Sequence, residues 1–575
     1  MSRALTFRAM AALALSTALC LPNTIASAQA PAPLVYLEQG SAWQTAQRAS
    51  FYTQDQGSQM IPFAWMKALT GPDGKPFLSD QLQRYGYLAN PYNNGTGLPI
   101  GFTLAGISGS EVVGMNCAAC HTRDIAVAGT RYRVDGGPAL SDFQNFLTDM
   151  VDAVGRVAKG TGDPAFLAFA TAVLGPNPDP VAVAELNLSV AQWYSRENAI
   201  RTGAYPNPDM WGLGRLDAVS MIFDRLTGVD IGPSSNNYII QSNIMLADAP
   251  VRYPFLWNAS RQDRTQWPGF AANGNSLLGL ARNLGEVYGV FGTFHPVSKG
   301  RGYYDFLADN SADFGGLGKL ETLITQIGAP AWPWQIDPAL AQQGAAVWKK
   351  PSLGNQSCAT CHDQKPGAFR GLTPTWATPI QNVGTDTREW DILGRVVNSG
   401  SLTGGKLFFF SKPLPANATA FELLGFSVVG SIVQQANPFK SKAAPSAKNN
   451  ATLQASLSDL TGAFPDLKAA APTTGSYESR VLYGIWAAAP YLHNGSVPTL
   501  ADLLKPASQR PERFKMGRNY DLTKIGIAAE QDGNYVTATT GCDKPNSGKS
   551  RCGHEFGTEF SDTEKTALLE FLKML

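Results

Sequence analysis

The chain has 575 residues, with 46 Lys+Arg against 45 Asp+Glu, and 44% of it is hydrophobic. This near-neutral balance argues against a nucleic-acid partner or a charge-driven membrane surface, and the length exceeds what one core usually holds, so at least two domains are predicted. Fifty-seven Gly and 38 Pro with only 16% charged residues predict many turns and long ordered loops between helices.

At the N-terminus, Arg3 and Arg8 precede an apolar run from Ala11 to Leu21, and Ala26-Ser27-Ala28 has the small-x-small pattern of a cleavage site. Residues 1–28 therefore read as a secretory signal peptide rather than a membrane span. The mature chain would begin near Gln29 and be periplasmic or secreted. Cys20 stands where a lipoprotein cysteine would, but Leu19 before it is a poor match to the small residue such a signal needs.

Cys117-Ala118-Ala119-Cys120-His121 and, much later, Cys358-Ala359-Thr360-Cys361-His362 are two copies of Cys-x-x-Cys-His. Two thiols three positions apart can add to the two vinyl groups of one porphyrin, and the imidazole of the next residue then reaches the iron. The motifs predict two covalently bound haem c groups held by Cys117, Cys120, Cys358 and Cys361, with His121 and His362 as iron ligands. Paired Cys with His is also zinc vocabulary, but each motif carries its own His and the two lie far apart, which favours haem.

Leu140, Phe143, Leu147, Met150, Val151 and Val154 recur at helical spacing after the Asp135-Gly136-Gly137-Pro138 turn, and packing explains that stripe. The proline-rich stretch 327–338 marks the best boundary. It divides an N-terminal haem c domain with extended loops, 29–326, from a C-terminal cytochrome c domain, 327–575. The fold class expected is mainly α, with two cytochrome c-like haem domains, long ordered loops and few short strands. Asp337-Pro338 opens one helix, and Ser561 with Glu564 forms a capping box for the last, whose face carries Leu568, Phe571, Leu572 and Leu575. First and last helices of cytochrome c folds cross near a small residue, and Gly344 is placed for that. Cys542 and Cys552 are the remaining pair; in an oxidising compartment they predict a structural disulfide that holds the segment around His554.

The sixth position of each iron decides whether a haem shuttles electrons or binds substrate. Three histidines remain for it: His295, His493 and His554. Beyond the second motif the methionines are Met516, in a basic loop and read as a surface residue, and Met574, read as packing or solvent-exposed. His295, in Phe294-His295-Pro296, reads as a core or surface histidine, with closure of haem one as the other reading.

The stretch Pro490-Tyr491-Leu492-His493-Asn494-Gly495-Ser496 resembles the Pro-Tyr-x-His-Asp/Asn-Gly-Ser motif in the C-terminal haem domain of the di-haem cytochrome c peroxidase and MauG superfamily. Within that superfamily the chain is similar to the rubber oxygenase-like branch. Asp55-Gln56-Gly57-Ser58, Asp135-Gly136-Gly137-Pro138, Gly285-Glu286-Val287 and Gly553-His554-Glu555-Phe556-Gly557 carry that likeness. The resemblance implies a C-terminal haem with two histidine ligands and an N-terminal haem with an open face. His362 would then be joined by His554 or His493; His554 is favoured, with His493 orienting a haem propionate or the path between cofactors.

The resemblance also implies that Glu286 stands where peroxidases of the superfamily keep a proton-moving glutamate. A carboxyl beside an apolar pocket has a raised pKa and can donate to a leaving oxygen, whereas the plain alternative is an ion pair with Arg282 one helical turn earlier. Trp257, Trp267 and Phe270 are either core packing or the lining of a dry channel for a hydrocarbon, and a Trp between cofactors could relay electrons. Calcium is entertained as a further ion. The function expected is a haem-dependent oxidoreductase that activates hydrogen peroxide or dioxygen at haem one, with haem two as electron relay. Its partners would be that small oxidant and either an apolar organic substrate or a small redox-protein donor. The alternatives are a non-catalytic di-haem electron-transfer cytochrome and a MauG-like protein-modifying oxidase.

Overall fold

Side-chain caps start most of the longer helices. Asp142, Asp217, Asn275, Asp313, Asp337 and Ser561 each accept from a backbone N–H of the first turn, which satisfies donors that have no partner inside the helix and stabilises each by about 1 kcal/mol. A computed structural model describes residues 32–205, 211–407, 412–436 and 474–575. The signal peptide expected at 1–28, with Arg3, Arg8 and Cys20, lies outside the described residues, as does Gln29.

Among the described residues, helices alternate with sheets of two or three strands, none longer than six residues. The strands are as short as expected and more numerous than the few predicted, because two-residue pairings close many of the Gly- and Pro-rich loops. No helix here is long and apolar enough to cross a membrane.

Most of the 140–154 stripe falls in the Phe143–Val157 helix, which buries Phe146, Leu147, Met150 and Val154 in one cluster with Phe77, Tyr85 and Phe102 and buries Val151 as well. Pro338–Trp348 and Asp562–Leu572 cross, and a side chain at Gly344 would collide with the Ala567 carbonyl. The predicted capping box is formed: the Ser561 hydroxyl accepts from Glu564 N and the Glu564 carboxylate from Ser561 N. Cys542 and Cys552 are joined.

The buried clusters run across the boundary placed at 326/327. One joins Leu37, Phe51, Phe255, Trp257 and Leu320 to Trp348, Trp486, Tyr491 and Leu568. Another packs the Ser276–Gly289 helix, through Leu284 and Val287, against Leu424 and Val428 of the Ala420–Gln435 helix. The elements after residue 327 therefore help wall the space around the first Cys-x-x-Cys-His motif.

Met516 corrects one expectation. It is only 2% exposed and packs in the cluster that contains Trp486 and Tyr520. Its N–H donates to Tyr535, next to the paired strands Arg513–Lys515 and Val536–Ala538, and this non-local pairing turns the side chain inward. Met574 is exposed.

Candidate haem centres

The first motif is a single helical turn, Cys117–Cys120, capped by Asn116, whose side chain accepts from Ala118 N and donates to Phe51 O and Gln54 O. Gly101 lies against Ala119 so closely that any side chain at 101 would clash with the turn. The second motif, Cys358–His362, is held by a capping box between Ser357 and Thr360. All four motif cysteines are free thiols. Burial pushes those of Cys358 and Cys120 up to about 11 and about 12, so they stay protonated at neutral pH.

His121 and His362 share one arrangement. His121 Nδ1 is 2.8 Å from the Pro254 carbonyl oxygen, and His362 Nδ1 is 2.8 Å from that of Arg480. A carbonyl only accepts, so the ring proton sits on Nδ1 and the Nε2 lone pair is left for a metal. Burial lowers both pKa values, that of His121 to about 4, so both rings are neutral, which is the ligating form.

Each motif opens into a cavity, one lined by Cys117, Cys120 and His121 and the other by Cys358, Cys361 and His362. At the second, the His554 ring faces that of His362 with centroids 6.1 Å apart. Two imidazoles on opposite sides of one iron, with metal–nitrogen bonds of about 2.0 Å, give a centroid separation of about 6 Å. His554 Nδ1 is buried without a hydrogen-bond partner, and burial, with His362 and Arg510 nearby, lowers the ring's pKa to about 3.

Arg510 positions that turn. Its guanidinium donates to the carbonyls of Arg551, Gly553 and His554 on one side and Lys505 and Leu503 on the other. His554 itself has φ +50°, and its N–H donates to Val383 O. His493 lines the same cavity but stacks on Tyr477, 3.8 Å between centroids, and its carbonyl accepts from Arg252 N. Burial, with Arg252 beside it, lowers the His493 pKa to about 3.

Arg252, Phe255, Trp267, Glu478 and Arg480 line both cavities. Arg252 lies over the Trp267 ring at 4.8 Å and Arg480 over the Phe255 ring at 4.2 Å. Arg252 Nη1 is buried with no partner, and burial lowers the guanidinium's pKa to about 9. A buried cation with an unpartnered nitrogen between two cavities fits the carboxylates of haem propionates. The residues present therefore fit haem c at both motifs: paired thiols, an oriented imidazole, and a cation at the shared edge. Among the described residues no group of three or more His, Cys, Asp or Glu is gathered to cage a metal, so the calcium considered from the sequence finds no such group, whereas haem iron needs only one or two side chains.

The other predicted residues separate. Glu286 lines the His121 cavity, and its Oε1 accepts from Gln266 Nε2 at 2.8 Å. The ion pair with Arg282 gives way to one between Arg282 and Glu321. Burial raises the Glu286 pKa above the usual carboxyl value, although Arg282 opposes it. Phe270 lies in a smaller cavity, with Phe421, Leu424 and Val428, that shares Ile222, Gln266, Arg282 and Glu286 with the His121 cavity. Trp267 stands between the two main cavities.

Trp257 does not reach the reactive face expected for it. It lines none of these cavities, because its indole donates to Tyr483 O and its ring stacks on Phe255 from behind. His295 is bound up elsewhere, between Asp309, Arg196 and Asp230 and stacked on Tyr238. Sequence reasoning missed Arg252, Arg480 and Arg510, which carry no motif, and Met221, which lines the His121 cavity.

Residues 476–515 match the family model described as RoxA-like, cytochrome c-like. The matched stretch contains Glu478, Arg480, Tyr491, His493 and Arg510. The uncharacterized protein y4iJ of Sinorhizobium fredii (strain NBRC 101917 / NGR234) is 29% identical over 94% of this chain and 93% of its own length. A second uncharacterized protein of that strain, y4iM, is 24% identical over 56% of this chain and 63% of its own length. The C-terminal match thus joins the geometry in supporting haem c as the cofactor and the rubber oxygenase-like cytochromes as the likeness.

Proposed function

We propose that the chain is a di-haem c-type oxidoreductase that activates hydrogen peroxide or dioxygen at the N-terminal haem and uses the C-terminal haem as electron relay. One observation carries this reading: His362 is faced by His554, whereas no second histidine lines the cavity of His121. Haem c, when bound, supplies an iron whose sixth position takes either a protein ligand or a small oxidant.

The chain's own residues divide the remaining work. His362 and His554 would hold one haem iron, and His121, fixed by Pro254, would hold the other. Arg252 would neutralise propionates where the cavities meet. Burial raises the Glu286 pKa, and the Gln266 amide fixes its carboxyl so that, when protonated, it can pass its proton to a leaving oxygen. The side cavity walled by Phe270, Phe421, Leu424 and Val428 suits an apolar organic substrate and supports the dioxygen reading; the buried Glu286, with its pKa raised, supports the peroxide reading. Trp267, between the cavities, lies on the short path for electrons. The oxidised Cys542–Cys552 pair and the haem c motifs support a periplasmic or secreted site of action.

A second reading rests on Met221, whose thioether would make haem one six-coordinate and the protein an electron carrier. Carbon monoxide added to the reduced holoprotein separates the two. The oxidoreductase binds one equivalent per two haems, His554→Ala binds two, and Met221→Leu changes nothing. A wild-type spectrum that carbon monoxide leaves unperturbed, with one equivalent gained in Met221→Leu, establishes the carrier instead.

A further inference from the structure

Where the two cavities meet, two carboxyl groups lack the partners that burial demands. Glu389, on the short helix Arg388–Asp391, is 3% exposed and lines the His121 cavity, and its Oε2 is buried with no hydrogen bond. Glu478, on the strand Tyr477–Glu478, lines both cavities. Its Oε1 lies 3.5 Å from Arg480 Nε while its Oε2 has no partner. Buried carboxylate oxygens without donors are costly unless protonated.

The surroundings of the two differ in charge. The groups that act most on Glu389 are all acidic: Asp217 at the head of the Ala218–Arg225 helix, Glu478 from the strand, and Asp386 from the preceding turn. Asp217 is satisfied by Ser220 N and Ala249 N, and Asp386 by Arg388 N and Ser550 N. Arg388, on the same helix as Glu389, is engaged by Asp248. Tyr477 also faces Glu389. Glu478 instead feels Arg480, Arg252 and Arg282, and burial still brings its pKa up to about 7. Burial and the neighbouring acids raise Glu389 well above the usual carboxyl range. Glu478 is among the charges that act on Glu389, so protonation of one bears on the other.

We propose that Glu389 and Glu478 form a proton-binding pair coupled to the haem beside His121, such that withdrawing one electron from that haem expels one proton from the pair to solvent and returning the electron restores it. An added positive charge at the cofactor favours the carboxylate, and its removal favours the acid, so electron and proton leave and return together with no net change of charge in the buried crevice. The inference rests on the haem c reading of the two motifs. It assigns a role to residues of the His121 cavity that do not ligate iron and are distinct from Glu286.

The test is a spectroelectrochemical titration of the full-length holoprotein from about pH 5 to about pH 9, after the haem content has been measured as the pyridine haemochrome. Fewer than two haems per chain overturns the cofactor reading and this proposal with it. With two haems present, the potential of the carbon-monoxide-binding haem should fall with rising pH, approaching about 59 mV per pH unit for one proton per electron. Glu389→Gln and Glu478→Gln should each reduce that slope by at least half. The redox-difference infrared spectrum of the wild type should show a protonated-carboxyl band on reduction that Glu389→Gln loses. A potential independent of pH, or a slope and band that persist in both variants, overturns the pair while leaving the haem reading intact.

Discussion

An enclosed carboxyl keeps its proton at pH values where an exposed one has lost it, and Glu286 is enclosed by the apolar wall of the His121 cavity and by the Gln266 amide. Its pKa is raised, so the protonated form needed to serve a leaving oxygen persists above the usual carboxyl pKa and disappears as pH rises through the raised one. Glu286→Gln is accordingly expected to lower peroxide turnover by about 10²- to 10⁴-fold, to remove the alkaline limb of the pH–rate profile, and to leave dioxygen binding unchanged. Stopped-flow rates equal to wild type would take Glu286 out of the chemistry. At this scale the two Cys-x-x-Cys-His turns were readable from sequence, because the spacing of Cys and His that thioether attachment would demand is local. The aromatic residues were not. Trp257 and Trp267 stand in similar sequence surroundings, yet one turns to the Tyr483 carbonyl and the other lies between the cavities under Arg252. That choice depends on partners 226 positions away for Trp257 and 15 positions away for Trp267.

At the scale of elements, local signals translated directly into structure. Asp337-Pro338 and the Ser561–Glu564 box start the two helices that cross at Gly344, since caps act within one turn. Short non-local strands left no such trace, and the pairing of Arg513–Lys515 with Val536–Ala538 that buries Met516 follows from tertiary context. The turn that presents His554 is of this second kind. The disulfide Cys542–Cys552 was expected to hold it, but Arg510 makes the direct contacts, gathering the carbonyls of Arg551, Gly553 and His554 around one buried guanidinium. Arg510→Met removes every one of those donors while keeping a side chain of similar reach. The ferric haem at His362 should then show a high-spin fraction, and the reduced protein should bind carbon monoxide beyond one equivalent. A wholly low-spin spectrum with unchanged stoichiometry would leave the disulfide as the element that holds the turn.

For the molecule as a whole, the question is whether the segments on either side of residue 327 behave as two bodies. Trp257 comes from the first, but its indole donates to Tyr483 of the second, and Gly484 lies close against it. Arg480 of the second segment binds the Phe255 carbonyl of the first and offers its own carbonyl to His362, while Pro254, the neighbour of Phe255, does the same for His121. The two histidines are thus oriented by a shared strip of backbone, and the core around Trp257, Trp486 and Tyr491 belongs to both segments. A break in that strip costs both sites their geometry, so the holoprotein should unfold in one calorimetric transition whose enthalpy agrees with the van't Hoff value. Trp257→Ala, which empties a fully buried site at the seam, should lower that single transition by about 3–5 kcal/mol and disturb the absorption of both haems together. Two resolved transitions, with the substitution moving one and sparing the other, would mean that each segment carries its haem on a core of its own, and the electron path between them would then depend on docking rather than on a common interior.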